Sequence, residues 1–125
     1  MDVAQSLTEL SQLSSQIQRA VVLDESGTVL GSTFSEPDDA EPLARAARDL
    51  IAAAGELHAK EEVTRVEVEL AEGAVFVLRE AGRTIAATTG PEPTAGLVVY
   101  DLRTCLHGID ETKPKRRRKA KEGDE

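Results

Sequence analysis

Apolar residues recur at helical spacing through Val3, Leu7, Leu10, Leu13 and Ile17, with Ser, Thr, Gln and Glu between them. This spacing predicts an opening helix with one apolar face. The period then vanishes. Arg19 to Asp24 contains the continuous apolar run Ala20-Val21-Val22-Leu23, which predicts a strand buried on both faces and therefore central in a sheet. Glu25-Ser26-Gly27 reads as a turn, and Thr28 to Phe34 as the returning strand of a hairpin.

Ser35 to Asp39 breaks the pattern, and Pro37 with Asp38, Asp39 and Glu41 suits a helix start, where acidic groups meet the positive end of the helix dipole. Leu43, Ala46, Ala47, Leu50, Ile51 and Ala54 form the apolar stripe of that second helix, and Gly55 marks its end, with Leu57 and His58 as an extension. Glu41–Arg45 and Arg45–Asp49 have the spacing of helical ion pairs.

Three strand-like runs follow. Val66, Val68 and Leu70 alternate with Glu67 and Glu69, so this half-buried run belongs at a sheet edge. Glu72-Gly73 turns the chain into Ala74 to Leu78, which is apolar throughout and reads as central. Gly82-Arg83 turns it again into Thr84 to Thr89. After the rigid Gly90-Pro91-Glu92-Pro93 loop, Leu97, Val98, Leu102, Cys105, Leu106 and Ile109 stripe a last helix. The order of elements is helix, two strands, helix, three strands, helix. Residues 1–110 are expected to form one α+β domain. Glu111 to Glu125 contains Ala120 as its one apolar residue. Such a segment buries too little to offset its ordering entropy and is expected to be a disordered tail.

Composition sharpens this picture. With Phe34, Phe76 and Tyr100 as the whole aromatic set, the core must be built from Val, Leu, Ile and Ala. A core this modest makes dimerisation a natural supplement. Charge is divided: residues 1–110 hold 8 basic against 19 acidic side chains, net −11, and residues 111–125 hold 7 against 4, net +3. The domain should repel nucleic acid and anionic membrane, whereas Lys115, Arg116, Arg117, Arg118 and Lys119 in the tail are candidate contacts for either. The tail lacks the interleaved aromatics that stack on bases. The single Cys105 cannot form an internal disulfide, the first residues lack a basic region followed by an apolar core, and no run is long enough to span a bilayer. A cytoplasmic location is the expectation.

Candidate chemistry is sparse. Cys105 and His107 are two residues apart on a helix and face different ways, so they form no dyad. One cysteine and two histidines fall short of a structural zinc site. Glu67 and Glu69 share a strand face and read as solvated edge charges rather than an acid–base pair. Gly27, Gly31, Gly73 and Gly82 are isolated and form no phosphate-binding loop. No catalytic residue, metal or cofactor is expected.

The order of elements, together with three local stretches, resembles the roadblock (dynein light chain) domain family. Arg19-Ala20-Val21-Val22-Leu23-Asp24-Glu25-Ser26-Gly27, followed by Val29-Leu30-Gly31-Ser32, resembles that family's first hairpin. Asp39 to Ala44 resembles the opening of its second helix, and Gly96-Leu97-Val98-Val99-Tyr100-Asp101-Leu102-Arg103 that of its last helix in bacterial members. The resemblance covers roughly residues 3 to 109. It implies a roadblock/profilin-like, five-stranded antiparallel sheet of order 2-1-5-4-3 between helices. It also implies pairing of the third strand and middle helix with those of a second copy or a related roadblock chain. On this chain that places Leu43, Ala47, Leu50, Ala54, Val66, Val68 and Leu70 at the interface. The function implied is that of a non-enzymatic adaptor that binds and regulates a Ras-like small GTPase, in some cases stimulating hydrolysis without supplying catalytic residues. A ligand-sensing or scaffolding domain, tethered to nucleic acid or membrane by its tail, is the alternative.

Overall fold

The computed structural model describes residues 1–57, 60 and 62–109. His58 and the predicted tail contacts Lys115 to Lys119 lie outside these residues. The elements are α1 (Val3–Leu13), β1 (Ile17–Leu23), β2 (Val29–Ser32), α2 (Pro37–Leu57), β3 (Arg65–Leu70), β4 (Gly73–Glu80), β5 (Arg83–Thr89) and α3 (Ala95–His107). The five strands form one antiparallel sheet in the order β2-β1-β5-β4-β3. This is the expected α+β architecture.

The continuous apolar runs have a direct physical cause, because the sheet is covered on both faces. On one face Ala20, Val22, Phe76, Leu78, Ile85 and Ala87 meet Leu7 and Leu10 of α1 and Val98, Val99, Leu102 and Leu106 of α3. On the other face Val21, Leu23, Val77 and Ala86 meet Ala40, Leu43, Ala44 and Ala47 of α2. Successive strand residues point to opposite faces, so β1, β4 and β5 need apolar side chains at consecutive positions.

Three boundaries differ from the sequence reading. Ile17 starts β1 instead of ending α1. The helix stops at Ser14, whose hydroxyl accepts the N–H groups of Gln16 and Ile17, a competition with the helix typical of serine. Gly55 lies inside α2, which continues to Leu57 in keeping with the extension read from the sequence. The β3–β4 and β4–β5 turns each fall one residue earlier than expected. Gly73 is the first residue of β4, and a Cβ on it would lie 2.5 Å from the Thr89 carbonyl oxygen. The second turn uses Ala81 (φ 56°) and Gly82 (φ 74°), the paired positive φ values that match a two-residue turn to strand twist. In α3, Leu97 is 56 % exposed and Val99 takes its expected place in the core.

Polar contacts set the layers. The Asp2 carboxylate and Gln5 form a capping box on α1. The Ser6 hydroxyl donates to the Cys105 carbonyl at 2.6 Å, the N-terminal ammonium to the Gly108 carbonyl at 3.1 Å, and the Thr94 N–H to Gln16 Oε1 at 2.6 Å. The first two contacts join the start of α1 to the end of α3, and the third joins the chain just past α1 to the start of α3, so the two helices lie antiparallel.

Candidate functional site: the α2 and β3 face

The spacing of small residues decides which side of α2 meets the sheet. Ala40, Leu43, Ala44 and Ala47 recur every three or four positions and are turned inward, with Ala44 and Ala47 fully buried. Side chains this small let the helix backbone settle close to β1 and β5. The neighbouring row of α2 is apolar as well and only partly covered. Ala46, Leu50 and Ala54 are half-buried, Ala53 is exposed, and Leu57 is 80 % exposed.

Strand β3 continues this apolar surface at the edge of the sheet. Val66 and Val68 are half-buried on the α2 side, and Leu70 is 58 % exposed. Glu67 and Glu69 point to the opposite side, opposite Phe76 and Ala74 of β4, and Glu67 pairs with Arg65 at 3.3 Å. Only one flank of β3 is hydrogen-bonded within the sheet. Its other flank presents backbone N–H and C=O groups with the same apolar residues above them. That combination favours pairing with another strand.

The seven residues expected at an interface are therefore divided. Leu43 and Ala47 pack inside the subunit's own core on the α2 side. Leu50, Ala54, Val66, Val68 and Leu70 contribute to the partly exposed surface. Ala53 and Leu57 also belong to this surface, although the sequence reading left Ala53 out of the stripe and gave Leu57 only as a helix extension. The i, i+4, i+7, i+11 row of Ala46, Leu50, Ala53 and Leu57 was the signal for them.

One charged group pins α2 in place. Arg48 Nε donates to the Gly27 carbonyl at 2.8 Å, and its guanidinium pairs with Glu41 at 3.0 Å. Glu41 thus reaches Arg48, two turns away, rather than the expected Arg45. Asp24 organises the receiving turn. Its carboxylate accepts from the Ser26 hydroxyl and from the backbone N–H groups of Ser26 and Thr28, and these bonds hold it below the ordinary carboxylate range. A cavity of about 220 Å³ opens beside this clamp, bordered by Leu23, Ile51, Arg79 and Thr84.

The remaining reactive groups are turned to structural tasks. Cys105 is 5 % exposed, and burial pushes its thiol up, the reverse of what a nucleophile requires. His107 faces outward and lies 2.8 Å from Glu80, which also accepts from Arg103 at 2.6 Å. Cys105 and His107 therefore face apart, as their spacing predicts. Among the described residues no group of three or more His, Cys, Asp or Glu is placed to hold a metal ion. None of the described helices is long and apolar enough to cross a membrane.

Comparison with known proteins agrees with this geometry. The Roadblock/LC7 domain matches residues 3–89. A Roadblock/LC7 domain from Streptomyces avermitilis is 26 % identical, with a TM-score of 0.73 over 86 % of this chain and 93 % of that one. The fold is also shared with Myxococcus xanthus MglB (14 % identity, TM-score 0.68, 84 % and 89 % covered). The gliding protein MglB from Thermus thermophilus is similar too (15 % identity, TM-score 0.67, 82 % of each chain). No curated protein matches the sequence. The match spans α1 through β5, the strand order is that of the fold, and α3 completes it; this chain belongs to the Roadblock/LC7 domain family.

Proposed function

We propose that the protein is an adaptor without catalytic residues of its own, which pairs with a second copy through β3 and α2 and in that form binds and regulates a Ras-like small GTPase. The observation that carries the self-pairing is the open edge of β3 continuous with the apolar row of α2. Two copies related by a two-fold axis would join their β3 edges into one sheet and cover Leu50, Leu57, Val68 and Leu70 together. Leu43 and Ala47 lie beneath this surface and hold it in place. Membership of the Roadblock/LC7 family and the fold shared with the MglB proteins support the GTPase reading.

Light scattering on the wild type and on Leu70→Glu tests the pairing. Leu70 is more exposed than Val66, so its replacement spares the core. A dimeric wild type and a folded monomeric variant are expected. A wild type with monomer mass rejects self-pairing and leaves a related roadblock chain as the partner. For the GTPase, the readouts are co-elution with a nucleotide-loaded GTPase and the rate of GTP hydrolysis. Neither association nor a rate change across a panel of nucleotide-loaded Ras-like GTPases would remove the regulatory assignment.

A further inference from the structure

We propose that the groove between α1 and α3 is the docking surface for the chain's own basic C-terminal segment, Lys113 to Lys121. The groove holds a cavity of about 150 Å³, with Leu10, Leu13 and Cys105 in its walls and Glu9 and Asp101 on its two flanks. Neither carboxylate has a hydrogen bond or ion pair among the described residues. The groove faces away from α2, so it is separate from the surface assigned to self-pairing.

Position and reach favour this occupant. The described chain ends at Ile109, immediately past the C-terminus of α3 and beside the N-terminus of α1. Gly108, Thr104, Asp101 and Leu97 are three or four residues apart and form one row along α3. Asp101 lies about 10 Å back along the helix axis from Gly108, at roughly 1.5 Å per residue. Extended chain covers that distance in about three residues. Ile109 is itself held in the core, and the length of chain from 110 to 116 is enough to carry Lys115 and Arg116 back as far as Asp101 and Glu9. Beside this row Tyr100 is 66 % exposed and offers a ring face on which a guanidinium of the Arg116-Arg117-Arg118 run could stack.

The charges are complementary, with 7 basic residues in positions 111–125 against a domain carrying net −11. The C-terminal end of α3 is already met by the N-terminal ammonium at Gly108, so the carboxylates of Glu9 and Asp101 carry the attraction. Each exposed pair is weak, but a tethered segment acts at high effective concentration, so several weak contacts suffice. In this position the tail's cations are withheld from nucleic acid and anionic lipid until a competitor or salt releases them.

The test compares amide NMR spectra of the isotope-labelled full-length protein with those of a full-length variant. In the variant Lys115→Ser, Arg116→Ser, Arg117→Ser, Arg118→Ser and Lys119→Ser are combined. At about 20 mM salt the two should differ at Glu9, Leu13, Asp101 and Thr104, and the differences should collapse at about 0.5 M, where screening is short-ranged. Glu9→Gln combined with Asp101→Asn, on the natural tail, should shift Leu13 and Thr104 to the neutral-tail positions. Superimposable spectra across the groove, or differences confined to α2 and β3, overturn the proposal. Differences that fade on dilution overturn the assignment to the chain's own tail. Far-ultraviolet circular dichroism verifies that each variant is folded.

Discussion

At the scale of single residues, backbone conformation sets sharper constraints than side-chain chemistry. Gly73 has no room for a methyl group, because the Thr89 carbonyl of the paired strand would lie 2.5 Å from it. Gly73→Ala must push two hydrogen-bonded strands apart and is expected to cost about 1–3 kcal/mol, read as a lower thermal midpoint. Ala81 presents the opposite case. It holds φ 56° in a two-residue turn, a conformation costing an L-residue roughly 1–2 kcal/mol. Ala81→Asn should raise the midpoint, since Asn-Gly is the preferred pair for such a turn. Glu80 carries the pH dependence. The hydrogen bond from Arg103, and secondarily that from His107, hold its carboxyl below the ordinary value of 4.5 against the opposing effect of burial. Its ionised form is the one that folding favours, so its contribution is present above the ordinary carboxylate range and is lost as pH falls through the lowered value. Denaturant titrations of the wild type and Glu80→Gln should therefore differ at neutral pH, by no more than about 1 kcal/mol for so exposed a pair. The two should converge well below pH 4.5.

At the scale of elements, some strong local signals were legible and one was passed over. The capping box of α1, formed by Asp2 and Gln5, lies ahead of the apolar spacing from which that helix was read, and Asp2→Ala should cost about 1 kcal/mol, visible as a thermal-midpoint shift with little change in helical signal at low temperature. The turn Asp24-Glu25-Ser26-Gly27 was legible because the Asp24 carboxylate bonds to backbone groups only two and four residues ahead of it. Boundaries were less legible, since they depended on neighbours distant in sequence. Ile17 fits the helical spacing of α1, yet it pairs with Thr89 as the first residue of β1. Leu97 fits the stripe of α3 and still points outward, because the helix is rotated to place Val99 against the sheet.

At the scale of the whole molecule, the two edges of the sheet differ in what they offer. Strand β2 is four residues long, its pairing with β1 shifts register between Val22 and Leu23, and Val3 of α1 packs beside Gly31. A short, irregular and partly covered edge is a poor template for pairing. Strand β3 is regular over six residues, and one side of it continues the apolar row of α2. Leu30→Lys, on the β2 edge, should accordingly leave the solution mass unchanged, while Leu70→Lys should lower it. Light scattering on the two variants reads the difference, and a mass change with Leu30→Lys alone would move the interface to the other edge. By itself the sequence determined which segments are helices and strands, that β1 and β4 are central, and that β3 is amphipathic, because these follow from periodicities over a few residues. Only the tertiary structure decided that Leu43 and Ala47 are core while Leu50, Ala53 and Leu57 are surface. Both rows of α2 are apolar, and which one is buried depends on how that helix crosses a sheet assembled from strands far apart along the chain.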